Sequence, residues 1–347
     1  MKALIYYGPK DIRMEERPMP ECGEHDVIVK TARAGICGSD LKAYLYDGMS
    51  VGILYNGQFG HDGQFGHEMV GTVYQVGSKC NDIKIGDRVF INPTTCKRNG
   101  MIGCDIAGAF SEYVLVEEAA YGYNLLKLAD NVSFDEAVVI EPLAVGTHGK
   151  NCIHVRPHEN VVIYGAGTIG LCTLNAVLAV GCQKPVVVDM NRERLSLAQK
   201  MGAVVYHPEG QGDIEEFLKK QFGAAVNPFG FEKPDVDAFI DCAGAGNVLG
   251  QIISLAKETA RIAVVAIYKH PVELDAAAVL AGRLTLQGSC GYDMPDIIEA
   301  FHNINGRRTQ TPEIVTTHFK HADSVQAFEM AADPTSGAIK VVIDYEE

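Results

Sequence analysis

Three short stretches of this chain carry side chains that a metal ion could use. Gly35-Ile36-Cys37-Gly38-Ser39-Asp40 sets a thiol between glycines, Gly66-His67-Glu68 sets an imidazole beside a carboxylate just before an apolar run, and Glu141-Pro142-Leu143 adds another carboxylate. Zinc accepts sulfur, nitrogen and oxygen donors, and a catalytic zinc keeps three protein ligands with one position open. Each stretch also has an ordinary structural reading, because buried cysteines usually pack and a lone histidine usually finds a local partner. Their joint occurrence ahead of a second motif changes the balance.

That motif starts at Val161. Four apolar residues, Val161 to Tyr164, read as a buried parallel strand, and Gly165, Gly167 and Gly170 follow at the spacing G-x-G-x-x-G. Gly165 allows the tight turn, Gly167 lets backbone N–H groups approach a pyrophosphate, and Gly170 lets the helix lie against the sheet. Thr168 and Ile169 fill the helix start, where unpaired N–H groups and the positive dipole end favour an anion. A second strand, Pro185 to Val188, ends in Asp189, which can accept hydrogen bonds from the adenosine ribose. Its charge repels a 2′-phosphate and favours NAD over NADP. Arg192 and Arg194 follow closely and weigh against a strict preference, and Arg194 is counted with the cofactor-binding residues.

The elements that must position these groups fall into two patterns. Up to about Pro142 the chain reads as short strands and turns, with apolar runs at Val27 to Ala34, Met69 to Val76, Asp87 to Ile91 and Phe110 to Val116. From about Ala144 strands and helices alternate, with further strands at Val204 to Tyr206, Val236 to Ile240, Ile262 to Ile267 and Leu284 to Gln287. This implies an α/β architecture: a β-rich domain plus a doubly wound parallel sheet. The expected domains are residues 1–143, 144–287, and a tail, 288–347, that returns to the first domain with a helix near Asp296 to Asn305 and a strand at Ile339 to Ile343. Phe222 to Pro234, rich in glycine, proline and phenylalanine, reads as a loop. GQFGH occurs twice, ending at His61 and at His67.

With 347 residues, 47% of them hydrophobic, the chain can fill two cores. A net charge of -14 argues against a nucleic-acid partner, since no basic surplus exists to displace phosphate counterions. Ten scattered cysteines suit thiols and metal ligands better than a disulfide framework. The start, MKALIYYGPKDIRMEE, soon becomes charged and lacks a signal-peptide core, so a cytoplasmic protein is expected. No charged residue occurs from Val161 to Gln183, yet Asn175, the threonines and the glycines suit a strand, turn and helix better than a membrane span.

The residues resemble a known family, the zinc-dependent medium-chain alcohol dehydrogenases, and within it the sorbitol, threonine and butanediol dehydrogenase branch. The resemblance spans essentially the whole chain. It rests on GICGSD, GHEMVGTVYQVG, GDRV at Gly86 to Val89, AFSEYV at Ala109 to Val114, EPLAVGTHG at Glu141 to Gly149, the glycine motif and the closing IKVVI. It implies a GroES-like catalytic domain beside a Rossmann domain, Cys37 and His67 as zinc ligands, and a third role shared between Glu68 and Glu141. Asp40 matches the carboxylate that holds the zinc-bound imidazole. Val145, Ala243, Gly244 and Ile267 match residues lining the nicotinamide pocket, and relatives commonly form dimers or tetramers.

Three departures bear on function. The lobe that in relatives carries four cysteines for a structural zinc is reduced to Ile91 to Ala109 with only Cys96 and Cys104, so one catalytic zinc and no structural zinc is expected. Lys42 stands where many relatives have a histidine that passes protons to solvent. The loop Val51 to Phe65, with His61 and Asp62, is unusual and reads as a pocket wall or an oligomer contact, with His61 as a zinc ligand the less favoured alternative.

The resemblance implies reversible oxidation, by NAD, of a secondary alcohol in a polyol, sugar derivative or hydroxy-amino-acid-like substrate, with zinc as Lewis acid. Ser39 would carry the alcohol proton, with Lys42 or a water as its outlet. Lys42 could also pair with a phosphate or carboxylate on the substrate, though a solvated surface lysine explains it more simply. Two rivals remain: a zinc-free reductase of activated double bonds, and a nucleotide-binding sensor or structural protein without turnover.

Overall fold

The computed structural model describes residues 1–46, 62–95, 101–104, 106–226 and 230–345. Contacts divide the chain into two units, one of residues 1–141, 304–306 and 311–347, the other of 142–303 and 307–310.

The first unit opens with an antiparallel pair, β1 (Lys2–Gly8) and β2 (Asp11–Glu16). There follow β3 (Val27–Gly35), α1 (Gly38–Leu45), β4 (Glu68–Val76), β5 (Arg88–Ile91), β6 (Tyr113–Val116), β7 (Leu125–Lys127) and α2 (Phe134–Ala137). β3 is buried along almost its whole length, with Lys30 alone exposed and Arg33 partly so. The expected strand at Phe110 to Val116 is shorter than its apolar run. Phe110 instead turns its ring into the core, where its centroid lies 4.9 Å from that of Phe65 and 5.4 Å from that of Phe328.

The second unit begins with α3 (Ile140–Asn151), whose first two residues precede the boundary. It continues as β8 (Val161–Tyr164), α4 (Thr168–Val180), β9 (Val186–Val188), α5 (Arg192–Lys200), β10 (Val204–Tyr206), α6 (Ile214–Phe222), β11 (Ala224–Val226), β12 (Glu232–Pro234), β13 (Ala238–Asp241), α7 (Val248–Leu255), β14 (Arg261–Val264), α8 (Ala276–Ala281), β15 (Thr285–Gly288) and α9 (Met294–Asn305). Six strands form one parallel sheet in the order β10-β9-β8-β13-β14-β15, the doubly wound arrangement. No helix of the described residues is long and apolar enough to cross a membrane.

Two further expectations differ from what is observed. Part of Phe222 to Pro234 is not loop: β11 and β12 pair antiparallel, with Ala224 opposite Pro234. Gly223, at φ +90°, ends α6 and redirects the chain into the pair, and Pro234 sits at the strand end where its missing N–H costs little. The tail also returns later than residue 288. α9 groups with the second unit because its acidic face meets α3. His148 Nδ1 lies 2.7 Å from Asp296 Oδ2, Asn151 Nδ2 donates to Asp296 Oδ1 at 2.8 Å, and Lys150 pairs with Glu299 at 2.8 Å.

From Thr311 the chain rejoins the first unit through β16 (Val315–Lys320), α10 (Ser324–Ala332) and β17 (Lys340–Asp344). β17 pairs antiparallel with β3, Val342 opposite Gly35, and this completes a sheet of order β16-β17-β3-β4-β5-β7 with β6 also on β3. The last strand therefore lies beside the loop that holds Cys37.

Candidate metal and dinucleotide sites

β3 ends at Gly35, and Ile36 N–H donates to Val341 O of β17 at 3.0 Å. Cys37 then takes an extended conformation as the residue that begins α1. The Asp40 carboxylate, in the first turn, accepts the Cys37 N–H at 2.9 Å, a position favoured by the positive end of the helix. On the other side, Phe65 O accepts from Phe110 N at 3.1 Å and Gly66 O from Ala109 N at 2.9 Å. Gly66 has φ +91°, and a Cβ there would lie 2.5 Å from the Phe110 ring, so only glycine fits. His67 thus enters β4 from a turn fixed by aromatic packing.

These constraints bring one ligand atom each of Cys37, His67 and Glu68 within 4.8 Å of one another. Glu68 is buried, and both its oxygens accept from Lys340 Nζ, at 2.8 and 2.6 Å. The same ammonium donates to Ile36 O at 3.0 Å. A Cβ on Gly35 would lie 2.1 Å from Glu68 Oε2, so the missing side chain makes room for the carboxylate. Glu141 is buried and stands outside the group of three, but its charge acts on His67.

The electrostatics are those of opposite charges buried together. Burial pushes the Asp40 carboxyl up to about 6, against the pull of His67. Asp40 Oδ1 lies 3.9 Å from His67 Nδ1, an ion-pair separation longer than a hydrogen bond. Burial also opposes charge on His67, yet Cys37, Asp40 and Glu141 hold its imidazolium well above the ordinary histidine range. A cation among the same donors would take over that role and displace the proton. The set fits zinc in kind, with one sulfur, one nitrogen and one oxygen, and bonds of about 2.0–2.3 Å would draw the donors in by on the order of 1 Å. Ser39 Oγ is buried without a partner among the described residues, and Lys42 is half-buried on α1.

The glycine turn has the geometry its spacing implies. Gly165 has φ +98°, Gly167 begins α4, and a Cβ on Gly170 would lie 1.8 Å from Gly165 O. Thr168 and Ile169 form the first turn of α4. Asp189 reaches back to this turn: Oδ2 accepts from Ala166 N at 2.6 Å, and Oδ1 from Asn191 N at 2.7 Å. Each oxygen keeps capacity for a further donor such as a ribose hydroxyl. Arg194 Nη1 lies 3.8 Å from where a Gly167 Cβ would be, and its Nε is buried without a partner among the described residues. Ala243 and Gly244 donate their N–H groups to Asp241 Oδ1 at 2.9 and 3.1 Å, and this turn abuts Gly165. Ile267 is 68% exposed after β14. Val145 is half-buried on α3, beside Gly146, whose Cβ would meet Thr173 N of α4 at 2.6 Å.

Sequence reasoning missed Lys340. The available signal was a lysine in the otherwise apolar IKVVI, since a charge at a buried strand position must be paired. The only other group of candidate metal donors among the described residues, His148, Asp293 and Asp296, is joined by the hydrogen bonds that hold α9. Val51 to His61 and Cys96 lie outside the described residues, and Cys104 is buried.

Comparison with known proteins adds independent findings. Residues 23–130 match the family model of the alcohol dehydrogenase GroES-like domain, and residues 168–305 match that of the zinc-binding dehydrogenases. The chain is 34% identical to a sorbitol dehydrogenase of Pongo abelii over 261 residues, covering 70% of this chain and 68% of that protein. It is 27% identical to a sorbitol dehydrogenase of Bombyx mori over 362 residues, covering 98% and 97%. The crystal structure of 2R,3R-butanediol dehydrogenase from Bacillus subtilis superposes with a TM-score of 0.85 at 24% identity, covering 99% of each chain.

Proposed function

The chain belongs to the zinc-dependent alcohol dehydrogenase family, and from that premise we propose a reversible, NAD-linked oxidation of a secondary alcohol in a polyol, sugar derivative or hydroxy-amino-acid-like substrate. It is an oxidoreductase of the polyol type. The convergence of Cys37, His67 and Glu68 within one ligand shell carries this reading. Cys37 and His67 hold the ion, with Glu68 or Glu141 as the third donor. Zinc held there supplies Lewis acidity, which makes an alcohol proton acidic enough to leave near neutral pH.

Ser39, whose hydroxyl is buried without a partner among the described residues, accepts that proton. Lys42, one helical turn further on, or a water returns it to solvent. The glycine turn, with Thr168, Ile169 and Arg194, binds the pyrophosphate, and Asp189 binds the ribose. Val145, Ala243, Gly244 and Ile267 line the nicotinamide, whose chemistry is the cofactor's own while the protein supplies alignment. One zinc per chain is our reading, because Cys96 and Cys104 are too few for a second tetrahedral site. The ten cysteines are scattered without the dense spacing of a disulfide framework, which supports a reducing compartment such as the cytoplasm.

A homodimer or homotetramer is supported by β15 and α8. Among the described residues β15 is an edge strand of the parallel sheet, α8 buries none of its residues, and Leu280 is 79% exposed. Two copies can cover such an edge by isologous strand pairing. Elemental analysis joined to a panel of polyols, sugar acids and their phosphates, followed by NADH absorbance, tests the reading. Turnover that survives complete removal of zinc would overturn it, and a zinc-free double-bond reductase would then be the better account.

A further inference from the structure

Two thiols outside the candidate sites share one acceptor. Cys22 Sγ donates to Asp26 O at 3.3 Å, and Cys80 Sγ approaches the same oxygen at 3.7 Å. Both cysteines are free and partly exposed. Cys22 lies in the turn that leads into β3, and Cys80 in the turn that leaves β4. The two turns are fastened together: Gly77 N donates to Asp26 O and Lys79 N to Glu24 O, each at 2.8 Å, while Cys80 N closes its own turn on Gly77 O at 3.0 Å. Gly77 packs so closely on the other segment that a Cβ would lie 2.2 Å from Gly23 O.

The position of this pair in the sheet gives it a consequence. β3 and β4 pair antiparallel from Val27 opposite Val76 to Gly35 opposite Glu68. Cys37 follows the Gly35 end and His67 precedes the Glu68 end, so the candidate metal donors cap one end of the ladder and the two thiols cap the other. We propose that Cys22 and Cys80 form a reversible disulfide, an oxidation site that staples the far end of the ladder carrying the metal ligands.

With glutathione disulfide as oxidant the chemistry balances. One cysteine thiolate attacks a glutathione sulfur and releases one glutathione; the other attacks the mixed disulfide and releases the second. A sulfur–sulfur bond forms in the protein, two protein thiols are oxidised, and one glutathione disulfide is reduced to two glutathiones. Burial and the nearby Asp26 carboxylate hold both thiols above the ordinary cysteine range, so exchange at neutral pH is slow. A cross-link closing this long a loop restricts the unfolded chain and resists fraying of the ladder.

The test uses the zinc-loaded holoenzyme treated with glutathione disulfide, followed by alkylation and peptide mapping. The expected result is a single cross-linked peptide pair containing Cys22 and Cys80, reversed by dithiothreitol. Zinc release to a chelator should then slow by about twofold or more relative to reduced protein. Cys22→Ser and Cys80→Ser should each keep turnover and lose both responses. Full alkylation of both thiols after oxidant, persistent separate glutathione adducts, or a cross-link to another cysteine would overturn the disulfide. Equal zinc release from oxidised and reduced protein would overturn the staple.

Discussion

The glycine turn and the candidate metal cluster are each suited to a charged ligand, and they are so by opposite means. At the turn the donors are backbone N–H groups of consecutive residues, and Gly165, Gly167 and Gly170 work by having no side chain. At the cluster the donors are side chains from distant segments, with Cys37 partly exposed and His67 and Glu68 buried beside a lysine that none of those segments supplies. Burying Asp40, His67, Glu68 and Lys340 costs several kcal/mol per isolated charge, so each depends on the others. The turn is a local object whose failure stays local, whereas the cluster is held by the whole of its unit and fails through residues that never touch substrate.

The sharpest way to separate the two is Cys37→Ala. It should remove stoichiometric zinc and lower turnover by on the order of 10³-fold or more, while NAD affinity by fluorescence titration stays unchanged. A parallel fall in NAD affinity would show that the regions are not independent. Next comes Lys340→Met, which leaves Glu68 buried without its ammonium. It should cost about 3–5 kcal/mol in chemical denaturation and lower zinc content, although Lys340 lies in the last strand. Unaltered stability would remove the claim that the cluster rests on remote partners.

At the turn, Gly170→Ala drives a Cβ into Gly165 O and should cost about 1–3 kcal/mol, raising the KM for NAD while zinc content holds. Titration should distinguish the regions as well. His67 of zinc-free protein holds its proton well above the ordinary range, so zinc binding must release it. Zinc affinity should therefore rise by at least about tenfold per pH unit through the neutral range, with proton release seen calorimetrically in buffers of different ionisation enthalpy. NAD affinity should stay nearly flat over the same interval. The smallest effect is expected from Asp189→Ala, a loss of about five- to tenfold in NAD affinity with a narrower preference over NADP. An unchanged preference would mean that Arg194 or another group sets cofactor choice.

Much of this was legible in the residues. The doubly wound sheet follows from buried runs such as Val161 to Tyr164 and Val186 to Val188, because a strand covered on both faces must be apolar throughout. The β11–β12 pair was not legible, since arms of three residues, Ala224–Val226 and Glu232–Pro234, are too short to carry a period that distinguishes pairing from loop. The late return of the tail was hidden too: α9 is amphipathic, and only its contacts with His148, Asn151 and Lys150 assign its polar face to the second unit.

Lys340 marks the limit most clearly. A lysine in IKVVI announces that some partner must exist, but neither its identity nor its role can be read along the chain. What the residues determine alone is whatever depends on neighbours in sequence: the glycine turn, the start of α4, the alternation of strand and helix, and the donor types offered at Cys37, His67, Glu68 and Glu141. Tertiary structure decided which donors meet, because β17 must lie along β3 before Ile36 is anchored and Glu68 acquires its counter-charge. Backbone conformation is set within a few residues, while the convergence of charged side chains depends on the packing of segments hundreds of residues apart.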